Sequence, residues 1–346
     1  MENYQKHLIL DTATIAQALI ALNDLSNDVL TLFVLDTDNK MVGTLTDGDI
    51  RRALISGAKL ETPVNTIMHT QFQCVRKNSI DVHHIVQLRT LNIDLLPCLN
   101  EDNHIETVYD LSRLDSILPI DAVLMAGGKG ERLRPLTEKT PKPLLKIGDK
   151  AIIDYNIDNL TRNCIEHISV TVNYLKEQIE SHYQTERNGV KINCVREPKY
   201  LGTIGSIKFV EIFYNDTILV MNSDLFTNIN YEVFYFHFID NHADMSVTVF
   251  PYSVSVPYGI LDIKDNGLVG LTEKPTYNYY ANAGIYLFKK ELLSLIPDDT
   301  FFNATDFMEL LIKKHKKVVH FPIGGFWIDI GNKDELAKAR DIAKHL

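Results

Sequence analysis

Short apolar and polar blocks alternate along the first third of the chain. Leu32 to Leu35 read as a strand, Asp36 to Lys40 as a polar turn and Met41 to Leu45 as a second strand, and the spacing from Asp47 onward suits a helix. The same order returns in DLLPCLNEDNHIETVYDLSRL, with a strand, a turn over Asn100 to His104, a short strand, and Asp110 at a predicted helix start. Helix-like stretches, Thr14 to Leu22 and Ser79 to Leu91, precede the two blocks. Two copies of one small unit predict paired sheets over a shared core. Asp115, Ser116 and Pro119 then break the periodicity, and a new apolar strand, Ala122 to Met125, begins. From there strand, loop and helix alternate, as in SVTVNYLKEQIESHY and TILVMNSD. That is the grammar of a doubly wound α/β sheet, whose ligands sit at the carboxyl ends of its strands.

Composition narrows the choice of function. A chain of 346 residues can bury two cores, and its 45% apolar content argues against long disorder. The formal charge of -10 argues against a broad nucleic-acid surface, which must neutralise several phosphates at once, but leaves room for a local cationic pocket. No apolar run reaches the roughly 18 residues of a membrane helix. The N-terminal sequence lacks a signal peptide's order of charge, apolar stretch and cleavage site. The cysteines at 74, 98, 164 and 194 form no C-x2-C pair, so neither a zinc site nor a disulfide scaffold is expected, and a cytoplasmic location fits.

The sharpest chemistry lies in DAVLMAGGKGERLRPLTEKTPKPLLKIG. The strand runs directly into Ala126, Gly127, Gly128, Lys129 and Gly130, where missing side chains let backbone amides approach phosphate oxygens. Neither standard glycine-loop closure is present, because Leu133 stands where a dinucleotide fingerprint wants its third glycine and no Gly-Lys-Ser/Thr ends the loop. Arg132, Arg134 and Lys142 follow, the last held between Pro141 and Pro143, so cations gather on what should be a polyanion. Arg132 and Lys142 are assigned to charge on the transferred group and the leaving pyrophosphate. Arg134 could instead pair with an acid of its own domain.

Two acids suit a divalent cation. Asp224 follows the apolar strand Thr217 to Met221, and Asp329 sits between Ile328 and Ile330, where an unpaired charge would be costly. Capping or ion pairing is the alternative for both. Glu197, Gly202 and Thr203 could hold a base edge or ribose, while Gly259, Glu273, Lys274 and Asn282 supply groups for a sugar phosphate. A sugar phosphate, with its second pKa near ~6, is largely ionised at neutral pH and can attack phosphorus without a strong general base. What remains is repulsion between anions, which a cation, loop amides, Arg132 and Lys142 would relieve. In the first part Thr46 and Asp49, echoed by Thr107 and Asp110, could meet a phosphate and a ribose, or could simply cap helices.

LMAGGKGERLRPLTEKTPKPLLKIG, LGTIGS, NSD, EKP, NAGIYLF and WIDIG, in this order, resemble the sugar-phosphate nucleotidylyltransferases, among them glucose-1-phosphate thymidylyl- and mannose-1-phosphate guanylyltransferases. The resemblance implies a Rossmann-like mixed sheet over residues 120–346, nucleotide and phosphates on Gly127, Gly128, Gly130, Arg132 and Lys142, and Mg2+ on Asp224 and Asp329. It places the sugar phosphate by Gly259, Glu273, Lys274 and Asn282. Glu131 departs from the threonine common in the family. Residues 8 to 115 resemble a tandem CBS pair within an expected domain 1–117, a module that often binds adenine nucleotides and dimerises. Its closing motif is matched by Gly43 to Asp49, whereas His104 replaces a glycine in the second copy. The fused arrangement is similar to guanylyltransferases of bacterial surface-glycan pathways acting on glucosamine 1-phosphate, which favours GTP and a dimer. CTP, dTTP or UTP with the same chemistry, and a silent nucleotide sensor, are the rivals.

Overall fold

The computed structural model describes residues 4–25, 28–76 and 80–345. Contacts divide the chain into two units, Met1–Leu118 with Arg162–Cys164, and Pro119–Thr161 with Ile165–Leu346. Among the described residues no helix is long and apolar enough to cross a membrane.

The first unit repeats one small design. Its elements run β1 (Leu8–Leu10), α1 (Ile15–Asp24), β2 (Thr31–Leu35), β3 (Met41–Thr46), α2 (Asp47–Ile55), then β4 (Val75–Arg76), α3 (Val82–Thr90), β5 (Leu95–Leu99) and β6 (Ile105–Asp110). Each half makes a three-stranded sheet, β1-β2-β3 or β4-β5-β6, with one parallel and one antiparallel pair. Alternation along β2 explains how the halves meet. Leu32 and Val34 pack under α1 with Ile15, Ala18 and Leu22, while Phe33 and Leu35 face the other way into a cluster with Leu95, Leu99 and Val108.

Two expectations need correction here. Ser79, the predicted start of the second helix, lies outside the described residues, and α3 begins at Val82 behind an Asp81 cap. No helix opens at Asp110. The ladder of β6 with β5 runs on to the Leu95–Asp110 pair, and Asp110 then closes a turn by accepting from the Ser112 amide at 3.1 Å and hydroxyl at 2.6 Å.

The second unit contains β7 (Ile120–Met125), β8 (Lys146–Ile147), β9 (Lys150–Ala151), α4 (Ile152–Arg162), β10 (His167–Val172), α5 (Lys176–His182), β11 (Ile192–Arg196), β12 (Thr217–Asn222) and β13 (Leu225–Thr227). It continues through α6 (Tyr231–Asp240), β14 (Met245–Ser255), β15 (Ile260–Lys264), β16 (Gly267–Thr272), β17 (Thr276–Lys289), α7 (Ala304–Lys313), β18 (Val318–Pro322), β19 (Trp327–Asp329) and α8 (Lys333–Ala343). Seven strands form a mixed sheet in the order β11-β10-β7-β12-β17-β14-β18. β7 pairs in parallel with β10 on one side and β12 on the other, while β17 is antiparallel to both its neighbours. β7 and β12 are buried along nearly their whole length, which is why they read as unbroken apolar runs. The chain passes from one side of β7 to the other, and the crevice that this leaves beyond the carboxyl end of β7 is where an open α/β sheet takes its ligand.

Candidate active site

β7 delivers its carboxyl end into the glycine loop. The Ala126 amide still bonds to the Thr171 carbonyl at 2.9 Å, so the loop leaves a fixed strand. Around Gly128 no heavy atom lies within 4 Å of where a Cβ would be, which opens that backbone to a ligand. Gly130 takes a left-handed φ of 60° and begins the short turn Glu131–Leu133. The loop is pinned from below, since Leu133 is fully buried with Leu145, Ile152, Phe226 and Ile330. Thr137 also donates to the Gly130 carbonyl at 2.8 Å.

Opposite the loop stand the cations and acids. Lys142 is buried between its two prolines, and its ammonium forms an ion pair with Asp224 and lies 3.7 Å from Asp329 Oδ1. β13 and β19 set this arrangement, because their antiparallel register places Leu225 opposite Asp329 and so brings Asp224 beside it. Burial pushes the Asp329 carboxyl above its ordinary value and the Asp224 charge adds to that, with Lys142 opposing. Asp224 Oδ1 and Asp329 Oδ1 are both buried without a hydrogen-bond partner. Two adjacent carboxylates, each with a buried oxygen that accepts no hydrogen bond, fit a hard divalent cation such as Mg2+, which is commonly held by one or two carboxylates while phosphate oxygens and water complete its shell. Among the described residues no group of three or more His, Cys, Asp and Glu gathers as a fuller cage. Arg132 reaches the same side, its guanidinium 3.0 to 3.1 Å from where a Cβ on Gly331 would stand, so the bare glycine gives it room.

These groups line one cavity of about 670 Å³ together with Ala126, Gly127, Gly128, Gly130, Glu197, Gly202 and Thr203. Its size is that of a small-molecule site. Asn173, Tyr200, Asn222 and Ser223 also line it. Asn173 was overlooked in the sequence, although a polar residue just past the buried strand β10 is the same signal that drew attention to Asn222-Ser223-Asp224. Arg134 stays out of the lining and pairs at 3.8 Å with Glu131.

Other candidate residues carry packing or capping contacts as well, or lie away from the cavity. Gly202, which lines the cavity, and Gly205 are also required by packing, since a Cβ on either would stand 2.6 or 2.7 Å from the Phe302 or Thr300 carbonyl oxygen. The Thr203 hydroxyl accepts the Ala304 amide at 2.9 Å, at the start of α7. Gly259, Glu273, Lys274 and Asn282 do not line the cavity. Glu273 instead adjoins Gly259, with an oxygen 2.9 Å from a Cβ placed there. Asn282 donates to the Tyr286 hydroxyl at 2.8 Å and accepts the Gly284 amide at 3.0 Å, and Gly284 abuts Asn222 at the cavity wall. Trp327 is a packing residue, stacked on Phe250 at 5.4 Å and donating to the Ala283 carbonyl at 2.8 Å.

In the first unit Thr46 and Asp49 form a capping box on α2, with the Thr46 hydroxyl donating to Asp49 at 2.6 Å. Burial alone would raise the Asp49 carboxyl, but hydrogen bonds from Thr46 and Arg52 hold it below its ordinary value. Thr107 is no counterpart, because it lies inside β6 opposite Cys98 rather than at a helix start, and Asp110 ends that strand.

Comparison with known proteins agrees on the second unit. The family profile described as nucleotidyl transferase matches residues 121–345. The bifunctional protein GlmU of Methanocaldococcus jannaschii is 30% identical over 235 residues, which cover 64% of this chain but only 53% of that protein. The D-glycero-alpha-D-manno-heptose 1-phosphate guanylyltransferase of Aneurinibacillus thermoaerophilus is 26% identical over 231 residues, 65% of this chain and 99% of its own length. Among solved structures, HddC from Yersinia pseudotuberculosis superposes with a TM-score of 0.51 at 25% identity, covering 64% of this chain and 99% of that one.

Proposed function

The chain belongs to the nucleotidyl transferase family, and from that premise we propose that its second unit joins a hexose or hexosamine 1-phosphate to a nucleoside monophosphate drawn from a triphosphate, GTP in preference. The observation that carries this is the convergence on one cavity of the glycine loop, Arg132, Lys142 and the adjacent carboxylates of Asp224 and Asp329, each with a buried oxygen that accepts no hydrogen bond. An oxygen of the sugar phosphate attacks the α-phosphorus, the bond to the bridging oxygen breaks, and pyrophosphate leaves. Arg132 and Lys142 face the negative charge that grows on the phosphoryl group and the leaving pyrophosphate. Asp224 and Asp329 would hold Mg2+, which when bound supplies further neutralisation of phosphate oxygens. No side chain here needs to act as nucleophile, so the reaction is a single displacement.

Glucosamine 1-phosphate is the favoured acceptor, and Gly259, Glu273, Lys274 and Asn282 are assigned to it. Residues 1–117 are proposed as a regulatory CBS pair with one adenine-nucleotide site near Asp49, tested by the response of the kinetics to AMP, ADP and ATP. The main reading is tested by pyrophosphate release with Mg2+ across GTP, CTP, UTP and dTTP, each with glucosamine, N-acetylglucosamine, mannose and glucose 1-phosphates. Release that requires both substrates supports it. Folded, Mg-loaded protein that releases none in any pair speaks for a silent nucleotide sensor instead.

A further inference from the structure

The glycine loop and the acids assigned to the metal come from different strands, and one buried hydroxyl joins them. Met125 is the last residue of β7 before the loop, and its ladder partner Asn222 is the last of β12. The ladder ends at that pair, because β12 gives way to a turn at Ser223. Ser223 nevertheless carries the connection one step further. Its hydroxyl donates to the Met125 carbonyl at 2.7 Å, and its amide donates to the same oxygen at 3.3 Å. A carbonyl oxygen has two lone pairs and can take both. Ser223 lines the cavity while only 2% exposed.

What stands on either side of this bond gives it its consequence. The Met125 carbonyl and the Ala126 N–H belong to one peptide unit, the first of the loop. Its N–H is held by the Thr171 carbonyl on β10 at 2.9 Å and its oxygen by Ser223, so the plane from which the loop departs is fixed at both ends. On the other side Asp224 follows Ser223 directly, and its carbonyl accepts the amide of Ile330, the neighbour of Asp329, at 3.2 Å. The loop amides and Asp224 serve the same phosphates if nucleotidyl transfer is the reaction, so the spacing between them enters the rate. We infer that Ser223 is a positioning residue whose hydroxyl sets the glycine loop against the acid Asp224; this rests on the nucleotidyl-transfer reading above. The hydroxyl gives its proton to Met125 and acts through the loop, not on a substrate. Alanine at 223 would leave only the longer amide bond to hold that peptide.

The test compares the full chain with Ser223→Ala and with a control, Thr248→Val. The control removes a fully buried hydroxyl that donates to the Ile285 carbonyl at 2.9 Å in the same sheet but away from the cavity. Thermal unfolding checks that both variants fold. One readout is pyrophosphate release as a function of Mg2+. The other is equilibrium binding of GTP carrying a methylene group between its α- and β-phosphorus, with and without Mg2+. Ser223→Ala is expected to lower kcat about 10-fold, short of the roughly 100-fold that a misplacement of about 1 Å can cost, and to leave KM for the sugar phosphate within about twofold. It should also raise the Mg2+ needed for half-maximal rate about fivefold, and lose about fivefold of the affinity that Mg2+ adds for the analogue, the lower end of ordinary coupling between two ligands. Thr248→Val should match the wild type in each. Wild-type kcat and Mg2+ dependence in Ser223→Ala overturn the inference, because a purely structural hydroxyl would cost stability alone. Equal changes in Thr248→Val, or a wild type whose affinity for the analogue ignores Mg2+, overturn it as well. A wild type that releases no pyrophosphate, yet shows a Mg2+ gain that shrinks in Ser223→Ala, keeps the positioning role and overturns the transferase reading.

Discussion

The two ends of the second unit are built to different standards. At the carboxyl ends of β7 and β12 the central charged groups, Lys142 and Asp224, are held by packing. Lys142 is buried between prolines, Leu133 pins the loop, and the β13–β19 ladder fixes one carboxylate beside the other. Beyond the sheet edge, β14 and β17 run on as long strands whose outer halves lie in solvent, and the hairpin β15–β16 leaves Ile263 70% and Leu271 62% exposed. Gly259, Glu273 and Lys274 belong to that exposed part. A region held by the core can aim charge at a reacting phosphorus without reorganising. A region held mainly by strand pairing can adapt to a substrate's hydroxyls, at some cost in ordering on binding. On the proposed nucleotidyl-transfer reading, the cavity side should therefore govern kcat, and the outer side, proposed for the sugar phosphate, KM.

The largest effects are expected where bracing is tightest. Asp224→Asn or Asp329→Asn should lower kcat about 10³-fold or more, since each removes a charge from the metal pair. The double variant should cost little beyond either single one, because the two act as a unit. Titrating Mg2+ against each variant checks that the loss follows the metal. If either variant keeps wild-type kcat at ordinary Mg2+ concentrations, the metal assignment fails. Lys142→Met should cost about 10²- to 10³-fold in kcat, in the range for loss of one electrostatic contact to the transition state.

Intermediate effects probe the outer region. Gly259→Ala would bring a methyl carbon to 2.9 Å from the Glu273 carboxylate. It should raise KM for the sugar 1-phosphate about 10-fold and leave KM for the triphosphate unchanged, about the effect of disturbing one charged hydrogen bond. Glu273→Gln should act in the same direction, with a stability change within about 0.5 kcal/mol because the side chain is exposed. A fall in kcat with unchanged KM would erase the division between the two ends.

Legibility in the sequence follows the same division. The glycine loop and Asp224 could be read because each is local, an apolar strand followed at once by its functional group. Lys142 and its acids could be named but not joined, since β13 and β19 pair residues about a hundred positions apart. Gly202 lines the cavity as its sequence suggests, but the residue that also requires glycine there, Phe302, lies far along the chain. In the first unit the repeat was visible in its strands. The helix expected at Asp110 failed because a strand register, which no local pattern announces, carried β6 through that residue.

The smallest effect lies with Glu197 and concerns stability rather than turnover. Burial holds its carboxyl above the ordinary value in the folded chain, so the fold binds its proton more tightly than the unfolded chain does. Stability then falls as pH rises from the ordinary carboxylate range through the raised value, and levels off above it. Glutamine at 197 cannot ionise and escapes that fall. Thermal unfolding of wild type and Glu197→Gln without nucleotide should therefore match most closely at low pH, with the variant gaining as pH rises. A gap of the opposite sign would mean that the carboxylate is a net stabiliser, satisfied by protein donors.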